Sequence, residues 1–190
     1  MVEALLRRRS RSRRWLTAKV MRNGGAFWPE NKERLTKLPK YYWEDFKPGD
    51  TAPIGERVVD KGEMISFARA YDPQPFHIDE EAAKGSMYGG LIASGWHTVG
   101  MVMRMTVDSY LNDSASLGSP GVENVRWLKP VRPGDIIRAT RKVVETRVSK
   151  SRPEMGLVKS LWEVFNQNGE LVMTMEGYGM FQRREAGGSV

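Results

Sequence analysis

The sequence predicts an α+β fold in which an antiparallel β-sheet wraps around one central α-helix. Residues 96–111 are the strongest helix candidate, because apolar residues share one face and others extend onto the remaining faces. The apolar face consists of Trp96, Val99, Gly100, Met103, Val107 and Tyr110. A helix that is apolar on nearly every side is expected to be buried. Strand-like segments follow this helix and complete the α+β pattern.

The segments before the central helix are short and of mixed type. A strand is predicted over residues 54–59, after a Pro-Gly turn. Apolar residues at helical spacing predict an amphipathic helix over residues 64–71. Residues 79–84 run from acidic to basic, the polarity that a helix dipole favours, so another helix is expected to begin there. The aromatic segment 41–46 is expected to pack on the domain.

The second half of the chain has the alternation of strands. Strands are predicted at residues 122–128, 136–149, 156–165 and 170–182. The last two flank the sequence Asn-Gln-Asn-Gly at residues 166–169, which predicts a hairpin. These long strands are the ones expected to wrap the central helix.

Charge and composition suggest the domain boundaries. Residues 1–40 are predicted to be a basic, irregular N-terminal extension, residues 41–185 a single domain, and residues 186–190 a tail. Residues 1–22 hold eight Lys or Arg and one acid, so they carry the whole formal net charge of +7. The remaining 168 residues are formally neutral.

Three interpretations of the basic extension stay open. It is an accessory segment without regular structure, an organellar presequence, or an arm that binds nucleic acid. The expected compartment is the cytoplasm, and the presequence interpretation implies the mitochondrial matrix instead. Nucleic acid is not an expected partner of the domain, because its own charge is balanced. No apolar run reaches 18 residues, so no membrane span is expected.

The residue types present limit the chemistry. The chain has no cysteine, which excludes disulfides, thiolate metal ligands and cysteine nucleophiles. Its two histidines, His77 and His97, leave little for a zinc site. We therefore expect no metal and no cofactor, and a reaction carried out by oxygen acids, histidine and backbone groups.

The most informative segment separates Asp72 from His77 by two prolines, Pro73 and Pro75. On a helix, an offset of five residues would turn the two side chains about 140° apart. In an extended chain they would lie up to roughly 17 Å apart. Proline disfavours a regular helix here, and a compact turn would fold His77 back beside Asp72. Such a pair can hold a water as general acid and base, whereas the plain alternative is a turn residue followed by a helix entry.

This segment and a downstream glycine resemble the MaoC-like dehydratases, a hot-dog-fold family that includes the (R)-specific enoyl-CoA hydratases. The family signature has an Asp, an Asn-Pro pair, a His five residues after the Asp, and an acidic helix start. The matching residues here are Asp72, Pro75, His77 and Asp79. The family also places a glycine 18 residues after the His, at the entrance to the central helix, where Gly95 stands. The resemblance spans about residues 45–182 and includes the Val-Arg-Pro-Gly-Asp turn at 131–135.

The resemblance implies an (R)-specific enoyl-CoA hydratase, equally a 3-hydroxyacyl-CoA dehydratase, which adds water reversibly to a trans-2-enoyl thioester. In that role Asp72 and His77 activate the water and deliver a proton to the α-carbon, and the backbone N–H of Gly95 stabilises the enolate oxygen. Substrate contacts are expected from Gln74, Pro75, Ser94 and Trp96. CoA enters as part of the acyl-CoA substrate, and a homodimer or higher homo-oligomer is expected to close the acyl tunnel.

The chain departs from the family pattern at three positions. Gln74 replaces the family's Asn, Tyr71 replaces a small residue, and Met103 falls where hydratases carry a serine. Thr98 or Thr106 is the candidate replacement for that serine. These departures concern acyl-chain specificity and leave the acid–base pair intact.

Other residues near the motif are interpreted as structural. His97, two residues after Gly95, is expected to be a structural histidine with satisfied hydrogen bonds. No contact to CoA phosphates is assigned to the basic residues of the strands and turns, which are Arg126, Lys129, Arg132, Arg138, Arg141 and Lys142. A solvated strand edge is the expected environment of each.

Two other functions remain open. A thioesterase would also place an acid near the central helix, and it would release free thiol from acyl-CoA. A catalytically weak acyl-CoA-binding or assembly module would still bind its ligand after removal of Asp72. The release of thiol and the effect of that substitution distinguish the three functions.

Overall fold

The structure, a computed structural model, describes residues 38–184. Most of the predicted extension, residues 1–40, lies outside the described residues, as does the predicted tail, residues 186–190. These domain boundaries therefore stay predictions. Within residues 38–184, every helix is too short or too polar to cross a membrane.

Five strands and four α-helices make up the described part of the chain. The strands are β1 (Thr51–Val58), β2 (Gly121–Trp127), β3 (Ile136–Val148), β4 (Met155–Phe165) and β5 (Leu171–Gln182). The helices are α1 (Lys61–Tyr71), α2 (Pro75–Ile78), α3 (Glu80–Lys84) and α4 (Gly95–Ser109). Along the chain, all four α-helices come after β1 and before β2, which agrees with the predicted α+β order.

The strands form one antiparallel sheet in the order β1-β3-β4-β5-β2, so β1 and β2 are its edges. The predicted hairpin joins β4 to β5. Its Gly169 has a φ of 75°, which glycine adopts without strain. The side-chain oxygen of Asn166 accepts hydrogen bonds from the N–H groups of Asn168 and Glu170 and closes the turn.

The inner face of the sheet packs on α4. Met101, Val102 and Met105 of the helix are buried. Around them lie buried residues of four strands, which are Ile54, Ile137, Ala139, Trp162, Val164, Val172, Met173 and Met175. The predicted arrangement of a sheet around a central helix is confirmed.

The structure corrects the predicted burial of α4. Trp96 and Met103 are 56% and 49% exposed, and Gly100 between them is exposed as well. The buried side consists of His97, Thr98, Met101, Val102, Met105 and Thr106. The sheet covers only one side of the helix, so the exposed part of the predicted apolar face lies on the surface of the single chain, whereas Val99 and Tyr110 of that face pack on the core.

The boundaries of several elements differ from those predicted, and α1 begins at Lys61 rather than residue 64. β1 begins at Thr51 rather than residue 54. A bulge between Pro53 and Gly55 interrupts the alternation by which a strand is predicted, so the sequence pattern misses its first residues. α4 begins at Gly95 and ends at Ser109, and a 3₁₀ turn follows it. The aromatic segment 41–46 packs on the domain, as predicted.

Candidate active site

The turn between α1 and α2 brings Asp72 and His77 together. Asp72 is the C-cap of α1, while Gln74 is the N-cap of α2 and Pro75 its first residue. Proline suits that position because its missing N–H would have no partner there. Nε2 of His77 lies 3.3 Å from Oδ2 of Asp72. The structure thus has the convergence that the two prolines predict.

A backbone carbonyl fixes the ring of His77. Nδ1 of His77 lies 2.8 Å from the carbonyl oxygen of Ile92. Since a carbonyl oxygen only accepts hydrogen bonds, Nδ1 carries a proton and donates a hydrogen bond to that oxygen. The ring is buried, with the edge of Phe76 packed against it. Nε2 is therefore the ring atom that faces Asp72 and is free for chemistry.

Two hydrogen bonds hold Asp72 as an anion. The hydroxyl of Ser94 donates to Oδ2 at 2.7 Å, and the side-chain amide of Gln74 donates to Oδ1 at 2.8 Å. These bonds, that of Ser94 first, lower the pKa of Asp72 below its ordinary value. Partial burial opposes this lowering of the pKa, and the positive charge that His77 carries when it is protonated supports it. Gln74, which replaces the family's Asn, thus acts on the acid itself.

Ser94 is also the N-cap of α4. Its Oγ accepts a hydrogen bond from the N–H of Trp96 at 3.3 Å, so one hydroxyl caps the helix and binds the acid. Just before it, the N–H of Ile92 donates to the carbonyl of Phe76 at 3.2 Å and ties this segment to α2. These bonds bring Gly95, the first residue of α4, to the same cavity as the acid–histidine pair.

The backbone N–H of Gly95 has no hydrogen-bond acceptor among residues 38–184. It stands at the N-terminal end of a 15-residue helix, where the dipole is positive and the first N–H groups lack partners within the helix. This N–H can therefore donate to an oxygen atom of a bound molecule.

The indole of Trp127 packs directly on Gly95. A Cβ atom added to Gly95 would lie 2.4 Å from Cε2 of Trp127, so any other residue would clash there. The indole N–H donates to the carbonyl oxygen of Gly95 at 3.0 Å. Trp127 also packs against Trp96 edge to face, with ring centroids 5.5 Å apart. The sequence predicts only a strand at Trp127, because this contact joins residues 32 positions apart and no local pattern signals it.

These groups line one cavity of about 610 Å³. The acid–base pair, Gln74 and Gly95 contribute polar groups to its wall. Most of the remaining wall is apolar or aromatic and consists of Tyr71, Phe76, Tyr88, Ile92, Ala93, Trp96, Thr98, Trp127, Leu128, Lys129, Pro130, Val131 and Val172. Apolar and aromatic side chains around a few converging polar groups are typical of a small-molecule site.

The predicted substrate contacts divide into two groups. Gln74 and Trp96 line the cavity, as does Gly95. Pro75 and Ser94 are not among the described residues that line it. Pro75 shapes the turn and Ser94 acts through the acid, so their contacts with a substrate stay predictions.

The residue at the position of the family's serine and its two candidate replacements lie in different cavities. Thr98 lines the cavity, and its hydroxyl lies 3.4 Å from the carbonyl oxygen of Ser94. Met103 and Thr106 line another cavity of about 200 Å³ farther along α4. Thr106 donates its hydroxyl to the carbonyl of Val102 at 2.8 Å. Of the two threonines, only Thr98 reaches the acid–base pair's cavity.

His97, on α4, packs against α1. Its ring lies 5.1 Å from that of Phe67, and its Nε2 lies 3.6 Å from Oε1 of Glu63. Within the described part of the chain neither ring nitrogen has a hydrogen bond, so the expectation of a satisfied histidine is wrong. Burial lowers the pKa of His97, and the carboxylate of Glu63 opposes that effect.

Only one of the six unassigned basic residues lines the cavity. It is Lys129, which forms an ion pair with Glu170. The expected solvated strand edge is wrong for Arg141, which is buried and packs over two aromatic rings. Arg132 stands behind the wall and donates to the carbonyl of Tyr88 at 2.6 Å, which ties down the loop that carries Tyr88. Among residues 38–184 there is no group of three or more His, Cys, Asp or Glu that could hold a metal ion.

Comparison with known proteins gives the family and the fold. Residues 47–163 match the family described as MaoC like domain. The crystal structure of the MaoC-like dehydratase from Rhodospirillum rubrum has a TM-score of 0.70 and 39% identity, and the match covers 76% of this chain and 98% of that one. The sheet around α4 is thus the hot-dog fold, as predicted.

Proteins of named activity are more distant. The 3-hydroxybutyryl-CoA dehydratase of Methylorubrum extorquens is 25% identical over 144 residues, which cover 73% of this chain and 87% of that protein. The (R)-specific enoyl-CoA hydratase of Rhodospirillum rubrum is 24% identical over 104 residues, or 53% of this chain and 67% of that protein. Because the family match covers more than half of the chain, this protein belongs to the MaoC-like domain family and is a hydro-lyase of the hydratase and dehydratase type.

Proposed function

We propose that the protein is an (R)-specific enoyl-CoA hydratase, which adds water reversibly to a trans-2-enoyl-CoA and in the other direction dehydrates a 3-hydroxyacyl-CoA. The observation that carries this proposal is the 3.3 Å contact between His77 Nε2 and Asp72 Oδ2 in the wall of the cavity that Gly95 also lines. The names of the two hydro-lyases described above support a CoA thioester as substrate. A role in fatty acid metabolism would follow from that substrate.

The acid–base pair handles the water. A carboxylate and an unprotonated ring nitrogen both accept hydrogen bonds, so one water can donate to both. As the water oxygen attacks C3 of the enoyl group, the pair takes one proton from it and delivers one proton to C2. The elements of water are then added, and Asp72 and His77 return to their starting protonation. A positioned acid and base typically contribute about 10²–10⁴-fold to a rate.

The start of α4 handles the charge. Attack at C3 moves an electron pair toward the thioester oxygen, which becomes an enolate oxygen. The unpaired N–H of Gly95 and the positive end of α4 stabilise negative charge at that oxygen. The acid–base pair and the N–H of Gly95 supply the acid, the base and the oxyanion donor that the reaction requires, so the proposal includes no metal and no cofactor beyond the CoA of the substrate.

The assembly proposed is a homodimer. The exposed apolar face of α4 lies beside the edge strand β2, whose Val122 and Trp127 are 50% and 47% exposed. Trp96 belongs both to this face and to the cavity wall. A second copy packed there would cover the apolar face and complete the wall near Trp96.

Hydration of crotonyl-CoA tests the proposed function. Loss of the enoyl-thioester absorbance is followed for the wild type and for Asp72→Asn, while free thiol is measured in the same reaction. We expect the wild type to lose absorbance without thiol release, the variant to be nearly inactive, and chiral chromatography to give the (R)-3-hydroxy product. Thiol release would mean a thioesterase. Binding of a panel of acyl-CoA ligands without turnover, equal in both proteins, would mean a binding module.

A further inference from the structure

Trp127 acts on Gly95 in two ways at once. The indole lies so close to the Cα of Gly95 that an added Cβ would fall 2.4–2.7 Å from three of the ring atoms. Its N–H donates to the carbonyl oxygen of the same residue at 3.0 Å. Trp127 therefore restrains Gly95 both by packing on its Cα atom and by a hydrogen bond to the peptide that follows it.

The first residue of a helix is the place where such a restraint matters. The N–H and the C=O of one residue belong to different peptide planes, which rotate about φ and ψ of that residue. Glycine has the widest freedom in these angles, and the N–H at the start of the helix has no partner to hold it. The cap bond of Ser94 goes to the N–H of Trp96, and the N–H of Thr98 donates to the carbonyl of Ser94 at 3.1 Å. These bonds hold the peptide planes on either side of Gly95, and Trp127 adds the contact with the Cα atom that joins the two planes.

We propose that Trp127 is a positioning residue that fixes the backbone N–H of Gly95 for the thioester oxygen. This inference rests on the proposed function and gives Trp127 a role separate from that of the acid–base pair. The restraint comes from β2, an edge strand of the sheet, so the orientation of the oxyanion donor depends on a part of the fold remote in sequence from Asp72 and His77.

The chain contains a matched control for this arrangement. The indole of Trp43 covers Gly156 in the same manner, with a Cβ–ring distance of 2.3 Å, and its N–H donates to the carbonyl of Leu157 at 3.2 Å. Trp43 is not among the described residues that line either cavity. Trp43→Phe therefore removes the same kind of hydrogen bond and leaves Gly95 untouched.

The test reads the polarisation of the bound thioester carbonyl. Crotonyl-CoA with a ¹³C-labelled carbonyl is bound to Asp72→Asn, which slows turnover, and the C=O stretch is measured by isotope-edited infrared spectroscopy. We expect the stretch to move to lower frequency on binding. The added substitution Trp127→Phe is expected to reduce that movement, and Trp43→Phe is expected to leave it unchanged.

Kinetics on the otherwise wild-type protein give the second readout. Trp127→Phe is expected to lower kcat by about 10- to 100-fold with a small change in KM, since misplacing an oxyanion donor affects mainly the transition state. Thermal unfolding of Trp127→Phe and Trp43→Phe shows whether each variant folds. If Trp127→Phe does not fold, β-(3-benzothienyl)alanine at position 127 keeps the shape of the indole and removes only its N–H.

The outcomes separate this inference from the proposed function. An unchanged carbonyl stretch and an unchanged kcat in folded Trp127→Phe would overturn the positioning role while the hydratase stands. A wild type that neither binds nor hydrates crotonyl-CoA would overturn the hydratase. Amide hydrogen exchange in the ligand-free protein still tests the restraint in that case: the first turn of α4 should exchange faster in Trp127→Phe than in Trp43→Phe. Equal exchange would reject it.

Discussion

The hydroxyl of Ser94 donates to Oδ2 of Asp72 at 2.7 Å and accepts from the first turn of α4. One side chain thus connects the general acid–base pair to the helix whose N-terminal N–H is the proposed oxyanion donor. The bond also makes the largest contribution to the lowered pKa of Asp72. The ionisation of the acid and the start of the helix therefore depend on the same residue.

Ser94→Ala is expected to raise the pKa of Asp72 toward its ordinary value, because it removes a hydrogen bond to the charged form. Activity that needs the carboxylate is lost as pH falls through this pKa. The acid limb of the pH profile of kcat/KM should therefore move to higher pH in the variant. Ser109→Ala, at the other end of α4, removes a hydroxyl bonded to Thr106 and should leave the limb in place. An unmoved limb in a folded Ser94→Ala protein would contradict this prediction.

Asp72→Asn and His77→Gln are each expected to lower kcat by about 10²–10⁴-fold while the fold survives. Both side chains face the cavity, so their replacement removes a proton acceptor or donor and adds no bulk. The control is Glu81→Gln, which neutralises a carboxylate on α3 whose side chain is 83% exposed. Circular dichroism and thermal unfolding check the fold. Unchanged turnover in both variants would rule out the acid–base pair.

Local rules account for what the sequence predicts correctly. Two prolines force the turn that joins Asp72 to His77, because proline restricts φ wherever it stands. Periodicity of two residues marks β3, β4 and β5, since alternate side chains of a strand face the core. These signals lie within a few residues of the feature that they predict.

The remaining features depend on contacts between distant segments. The packing of Trp127 on Gly95 joins β2 to α4, and no local pattern encodes it. The exposed face of α4 was not predictable from periodicity, because the helix is apolar on several sides and the sheet decides which side is covered. The role of Ser94 is of the same kind, because its acceptor lies 22 residues earlier in the chain.

Gly95→Ala is expected to destabilise the fold by about 1–3 kcal/mol, because the new methyl group would overlap the indole of Trp127. Gly156→Ala should have a similar cost against Trp43. In a Trp127→Ala background the cost of Gly95→Ala should fall, and a double-mutant cycle by urea unfolding measures this coupling. Full additivity would show that the glycine is not required by the indole.

Burial of His97 should make stability depend on pH in a defined window. Its folded pKa lies below the ordinary value of 6.5, so below pH 6.5 the unfolded chain binds more protons than the folded one. Stability should therefore fall as pH decreases from 6.5 to the folded pKa, by at most about 1.4 kcal/mol per pH unit. Urea unfolding between pH 5 and 7.5 should show this slope in the wild type and a smaller one in His97→Phe.

Removing the charge of Glu63 gives a second test of the role of His97. The carboxylate lies 3.6 Å from Nε2 of His97 and opposes the effect of burial. Glu63→Gln should therefore lower the pKa of His97 further and extend the loss of stability to lower pH. Identical pH slopes in the wild type, His97→Phe and Glu63→Gln would show that another group produces the dependence.

Met103→Glu is expected to dissociate the proposed homodimer. Met103 is 49% exposed at the centre of the apolar face of α4, where a charge would have to be buried in the interface. A stable interface buries about 800 Å² on each partner. In the proposed dimer this area would come from surface residues of α4 and β2. Sedimentation velocity at micromolar concentration should find the wild type at twice the 21.6 kDa chain mass and the variant shifted toward the mass of one chain.

Val144→Glu is the control for this experiment, because Val144 is 46% exposed on β3, away from α4. A wild type that sediments as a single chain would reject the dimer, and an equal shift in both variants would reject the α4 face as its interface.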